Sequence, residues 1–140
     1  MPDRLRAEIH QDDPFDSPEE EVFLNLQRTA AILTGRFAAE LRAWGLTPAQ
    51  YNVLRILRGA GPGGRTCGEV GERLVAPGPD VTRLIDRLER AGLVARERDE
   101  ADRRVVRARI RRDGLARLGS DFPLDARYPL EAVADREESA

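Results

Sequence analysis

Phe23, Leu26, Ala30, Leu33, Phe37, Leu41 and Trp44 recur at steps of three and four residues, the spacing that sets side chains on one face of a helix. The run predicts a helix from about Ser17 to Trp44. Ser17 suits its N-cap, Pro18 its first position, and Glu20 the reciprocal partner of a capping box. The stripe is long enough to pack on the rest of the domain and on a second subunit. A purely intramolecular core helix fits the pattern equally well. "TPAQ" repeats the capping device with Thr47 and Gln50 and opens a helix through "YNVLRILR", with Tyr51, Leu54 and Leu57 toward the core. "GAGPGG" then forces a loop. "TCGE", with Thr66 and Glu69, opens a short helix containing two glycines, which packing must hold because propensity does not.

A fourth helix is expected from about Pro79 to Ala91, with Asp80 at its positive end and Gly92 as its stop. Val81, Leu84, Ile85, Leu88 and Ala91 form its apolar stripe. Arg83, Arg87 and Arg90 gather on the far side, with Asp86 and Glu89 as available partners on the same helix. "LVARER" and "VVRARI" follow, each alternating with period two: Val106, Ala108 and Ile110 on one side, Val105, Arg107 and Arg109 on the other. They flank a charged turn and predict a β-hairpin. Two short helices, the second with a basic outer face, followed by an arginine-tipped hairpin, give a mainly α fold with a small β-hairpin wing: a winged helix-turn-helix.

Charge sharpens this picture. The net charge is only −2, but residues 81–112 hold 11 Arg against 6 Asp plus Glu, while the last twenty residues hold 2 against 6. A basic middle between acidic ends makes a polyanionic partner plausible there. All 23 basic residues are arginine, the side chain suited to bidentate phosphate and guanine contacts. One Cys (Cys67) and one His (His10) supply neither a disulfide framework nor a structural zinc site, so no metal or cofactor is expected. No apolar run approaches the roughly 20 residues of a membrane span. The polar opening "MPDRLRAEIHQDDPFD" does not read as a signal peptide, so a cytoplasmic location is expected.

"GLTPAQYNVLRIL" at 45–57, "VTRLIDRLERAGLVARERD" at 81–99 and "ADRRVVRARI" at 101–110, in unbroken order, resemble the multiple antibiotic resistance regulator (MarR) family of bacterial transcription factors. The resemblance covers roughly residues 20–115. It implies a dimeric winged-helix protein that binds operator DNA and is often released by a small ligand. The helix containing Val81–Ala91 would enter the major groove, with Asp80, Thr82, Arg83 and Arg87 near base edges and Arg90 at the DNA backbone or in a surface ion pair. The family's Asp-x-Arg wing pattern matches Asp102 and Arg104, the carboxylate orienting the guanidinium for the minor groove. Arg98, Arg103 and Arg107 would neutralise phosphates, and Arg65 and Thr66 would meet another phosphate at the third helix start. Family members bind small aromatic compounds, and Phe37, Trp44 and Tyr51 are candidates to line such a cleft; ordinary core is the plainer reading of these aromatics.

Other readings are weaker. "GAGPGGRT" has P-loop spacing but Arg65 in place of the lysine, Pro62 inside, and a helix before it, so an inter-helix turn is the better account. His10 has no visible catalytic partner. Cys67 reads as a small helix-start residue rather than a redox sensor. A winged-helix protein-interaction module without DNA binding is the alternative class, and arginine on both helix and wing argues against it. Residues 1–16 are expected as a flexible acidic tail, 17–122 as the winged-helix domain with its dimerisation helix, and 123–140 as a short, partly disordered segment. Pro123 and Pro129 interrupt that segment, and a helix is expected only to about Asp121, a shortened C-terminus for the family.

Overall fold

Each of the four expected helix starts carries a side-chain cap. Ser17 Oγ accepts from Glu20 N at 3.1 Å, Thr47 Oγ1 from Gln50 N at 3.2 Å, Thr66 Oγ1 from Glu69 N at 3.1 Å, and Asp80 Oδ1 from Arg83 N at 3.2 Å. Each cap satisfies a backbone donor that the helix leaves open, a contribution of about 1 kcal/mol. Only Thr47 and Gln50 close a full reciprocal box. The Glu20 carboxylate reaches back to the N–H of Asp16 instead, at 2.8 Å, and Glu69 turns away to other partners.

The computed structural model describes residues 4–119. In chain order these form α1 (Arg4–Glu8), α2 (Pro18–Arg42), α3 (Pro48–Ala60), a 3-10 turn (Gly61–Gly63), α4 (Cys67–Arg73), α5 (Val81–Arg90), β1 (Val94–Arg98), β2 (Val106–Ile110) and α6 (Arg112–Arg117). They fall into two units, one ending at Ala39 and one beginning at Glu40.

In the first unit the structure departs from the expected flexible tail, because residues 4–8 form α1. Leu5 is 3% exposed, and the Glu8 carboxylate takes Arg4 Nε at 3.0 Å and Arg28 Nε of α2 at 2.9 Å. Two apolar residues, Leu5 and Ile9, are too few to announce a helix by periodicity, so packing and the Glu8 pairs hold it. On α2, Val22, Phe23 and Leu26 stand 59%, 58% and 65% exposed.

In the second unit α3 is the central element, packed by α4, α5, α6 and β2. Val53, Leu54 and Leu57 are fully buried and Ile56 nearly so, which is why its buried surface is wider than the one-sided stripe expected; Tyr51 is only partly covered. Leu84, Ile85 and Leu88 of α5, with Val70, Leu93 and Val94, complete the core, each burial stabilising by roughly 1.5–3 kcal/mol. Ala91, expected in the α5 stripe, is exposed because α5 ends at Arg90. β1 and β2 pair antiparallel, from Val94 opposite Ile110 to Arg98 opposite Val106. A third edge joins them: Arg65 N donates to Ala108 O at 2.8 Å and Ala108 N to Arg65 O at 2.7 Å. Gly64 makes this approach possible, since its φ is +66° and a Cβ there would lie 2.3 Å from Ala108 O.

The expected helix to Asp121 closes earlier, with α6 ending at Arg117. The segment expected at 123–140 lies outside the described residues. Among the described residues no helix is long and apolar enough to cross a membrane, and no group of His, Cys, Asp and Glu is arranged to hold a metal ion.

Candidate nucleic-acid interface

The outer surface of α5 carries two parallel rows. At 100° per residue, Thr82, Asp86 and Glu89 form one, and Arg83, Arg87 and Arg90 the next, before the buried leucines begin. The carboxylates do not serve the arginines of their own helix. Both face Arg96 of β1, whose Nη2 lies 2.5 Å from Asp86 Oδ1 and whose Nη1 lies 4.0 Å from Glu89 Oε1. Arg96 Nη2 also donates to the Thr82 carbonyl at 3.1 Å, and its backbone N–H to Glu89 Oε2 at 3.1 Å. Arg87 and Arg90 are exposed and form no ion pair with a described residue. Among the described residues Arg83, 77% exposed, has only Asp80 at 3.8 Å, and that carboxylate is committed as the helix cap.

The wing tip is built on two aspartates. Asp99 Oδ1 accepts from Ala101 N at 2.8 Å and Asp102 N at 3.1 Å, and its Oδ2 accepts from Arg107 Nε at 2.9 Å. Asp102 Oδ1 accepts from Arg104 N and Nε, both at 3.1 Å, and Oδ2 from Nη2 at 3.3 Å. The guanidinium of Arg104 is thus held in a fork while its side chain stays 92% exposed. Both carboxyls are held below the usual range: Asp99 chiefly by the Arg107 hydrogen bond and then by the backbone donors of Asp102 and Ala101, Asp102 chiefly by Arg104.

At α4, Thr66 is engaged as the cap, and Arg65 fills a strand position through its backbone while its guanidinium lies 3.6 Å from Glu69. Glu69 also stands 3.6 Å from Arg107 Nη1. A chain of charges therefore runs from Arg65 through Glu69 and Arg107 to Asp99, tying α4 to the wing.

The pattern of the MarR family matches residues 44–105. The uncharacterized HTH-type transcriptional regulator YkoM of Bacillus subtilis (strain 168) is 32% identical over 123 residues, covering 85% of this chain and 75% of YkoM. The chain belongs to the MarR family. A MarR transcription factor from Planctomyces limnophilus superposes with a TM-score of 0.70 at 35% identity, covering 89% of this chain and 93% of that one. The transcriptional repressor CouR, solved bound to a 23-mer DNA duplex, is similar at a TM-score of 0.61 and 32% identity, over 83% of this chain and 75% of CouR. The family and these relatives are transcriptional regulators, not enzymes.

Within this MarR-family fold the expected site residues divide. Thr82, Arg83, Arg87, Arg103 and Arg104 are exposed on α5 and the wing tip. Arg107, expected beside them as a phosphate neutraliser, is held by Asp99 at 2.9 Å and stands 3.6 Å from Glu69. Arg98 donates to the Arg103 carbonyl at 2.7 Å and braces the same turn. Asp80 is the cap. Three residues escaped the sequence reading: Arg96, Asp99 and Glu69. Asp99 had a local signal, an aspartate opening a turn and accepting from the backbone two and three residues on. Arg96 had none, because its partners lie on the preceding helix, and for Glu69 only Arg65, four residues before it, was a local signal, Arg107 being distant in sequence. Of the three aromatic candidates, Trp44 lines an open hollow of about 620 Å³ with Ala43, Gly45, Asp113, Ala116 and Arg117.

Proposed function

We propose that this MarR-family regulator binds duplex DNA through α5 in the major groove and the hairpin tip in an adjacent minor groove. One observation carries the reading: exposed guanidiniums that have no neutralising carboxylate among the described residues, Arg87 and Arg90 on α5, stand in the same unit as the presented Arg104 of the tip. In this reading Thr82, Arg83 and Arg87 meet base edges, Arg104 reads groove width, and Arg65, Thr66, Arg90, Arg98 and Arg103 meet phosphates. CouR, similar in fold and sequence, is a repressor seen on DNA, which supports both the partner and repression as the mode of action.

The protein acts as a homodimer on a pseudo-palindromic operator, its two-fold symmetry matching half-sites about one helical turn apart. The exposed Val22, Phe23 and Leu26 on α2 support a second copy as their cover. A small aromatic effector beside Trp44 releases the DNA, and a DNA partner sets the cytoplasm as the working compartment. Arg83→Ala and Arg104→Ala are each expected to weaken duplex binding about tenfold, the scale of one good groove contact, with an unchanged far-UV circular dichroism spectrum. Wild-type affinity in both variants would reject the DNA reading in favour of a protein-interaction module.

A further inference from the structure

We propose that Arg96 is a positioning residue that uncovers the DNA-reading face of α5 by withdrawing that helix's two carboxylates from its arginine ridge. The inference rests on the DNA-binding reading above and concerns a residue that itself meets no DNA in it.

Helix geometry alone would favour a different pairing. Asp86 precedes Arg90 by four residues and follows Arg83 by three, and an acid four residues ahead of an arginine is the favourable orientation for a helical pair. Left to itself, Asp86 would lie across the ridge and cancel its charge where a phosphate has to sit; Glu89, with no arginine three or four residues away, borders the ridge. The structure has them elsewhere. Arg96 is only 25% exposed, against 39% and 44% for its partners, so its fork acts from beneath the helix surface. It holds Asp86 through Nη2 at 2.5 Å, faces Glu89 through Nη1, and binds the Thr82 carbonyl with the same Nη2. The Arg96 backbone N–H adds a bond to Glu89 that no substitution at position 96 other than proline removes.

A partly buried fork competes well against solvent-exposed pairs. Surface helical pairs contribute little and are weakened by salt, whereas a guanidinium with several partners at fixed geometry loses less side-chain freedom for each bond formed. Glu89 and Asp86 therefore face β1, and Arg87 and Arg90 form no ion pair with a described residue. The same contacts fix the angle between α5 and the strand that leads into the wing, so that helix and tip are presented together. Lysine would not do the same work, since a single ammonium has no fork to span the two carboxylates.

The test is a cycle of variants read by binding to a mixed-sequence pool of duplex DNA at about 0.1 M salt, with circular dichroism to verify the fold. Arg96→Ala is expected to lower affinity about tenfold, near the effect of one lost phosphate contact, and to make the log–log salt slope shallower by about one. The pair Asp86→Asn and Glu89→Gln is expected to change the wild type by less than about twofold, because those carboxylates already face away. Introduced into Arg96→Ala, the same pair is expected to bring affinity back to within about twofold of wild type. Should Arg96→Ala unfold, Arg96→Lys replaces it, with a smaller loss that the carboxylate substitutions again cancel. Carboxylate substitutions that change affinity by one factor in both backgrounds would overturn the proposal in favour of simple net charge. Failure to rescue would overturn it in favour of Arg96 as a structural prop. A wild type that binds no DNA would overturn the DNA reading and this inference together, whereas a binding wild type with an unaffected Arg96→Ala would overturn this inference alone.

Discussion

Arg107 Nε of β2 lies 2.9 Å from Asp99 Oδ2, in the turn that follows β1, with both side chains partly exposed. The contact converts a basic residue of the wing from a prospective phosphate partner into the brace that holds the tip, with Glu69 of α4 on its other side at 3.6 Å. Counting arginines along the hairpin overstates the charge it offers to DNA, because Arg107 and Arg109 spend theirs on Asp99, Glu69 and Glu97.

Salt dependence separates the two kinds of arginine. Arg103→Ala, at an exposed position, is expected to make the log–log slope of duplex binding shallower by about one. Arg107→Ala is expected to weaken binding by loosening the tip while leaving the slope nearly unchanged. Equal slope changes in the two variants, measured by fluorescence anisotropy across a salt series, would mean that Arg107 also neutralises a phosphate.

The acid response of the wing follows from its two aspartates. Asp99 and Asp102 are both lowered from 3.8 in the folded chain, so their contribution to wing order is present above that value and is lost as pH falls through their folded pKa values. The amide of Ala101, which donates to Asp99 Oδ1, is expected to titrate by NMR with a midpoint below 3.8. A midpoint at or above 3.8 would show that the Arg107 pair does not persist in solution.

Gly64→Ala tests the third sheet edge. The substitution combines a left-handed backbone with a Cβ 2.3 Å from the Ala108 carbonyl, so a loss of roughly 1–3 kcal/mol is expected from backbone strain alone. Urea unfolding measures it. A change below about 0.5 kcal/mol, the range of ordinary surface substitutions, would mean the Arg65–Ala108 bridge is dispensable.

Phe23→Glu and Leu26→Glu address the dimer. Both side chains are more than half exposed on α2, so each substitution is expected to leave thermal stability of the monomer fold little changed while shifting sedimentation equilibrium toward monomer. An unchanged dimer would place the subunit contact elsewhere.

Much of this architecture is readable from the residues alone, wherever the determinant is local. Ser17, Thr47, Thr66 and Asp80 are chemically suited to cap, and each caps; the period-two alternation of 105–110 becomes the second strand of the hairpin, Val106–Ile110. The Asp102–Arg104 pair, implied by the family resemblance, is present at 3.1 Å. α1 was not readable, since Leu5 and Ile9 gain burial only once the chain is folded. Nor were the ion pairs of Glu69 and Arg96, because a carboxylate beside several arginines in sequence is assigned by tertiary geometry. Asp86 and Glu89, available as partners within their own helix, face Arg96 instead: nearest in sequence was not nearest in space.

The most direct test of the account is the affinity of the wild-type chain, verified as folded and dimeric, for a mixed pool of duplex DNA as salt is raised. If α5 and the wing neutralise phosphates, the log–log slope will be about −4 or steeper, given roughly 0.9 per contact and the exposed arginines of each protomer. A folded dimer that binds nothing at low salt, or binds without regard to salt, would contradict it.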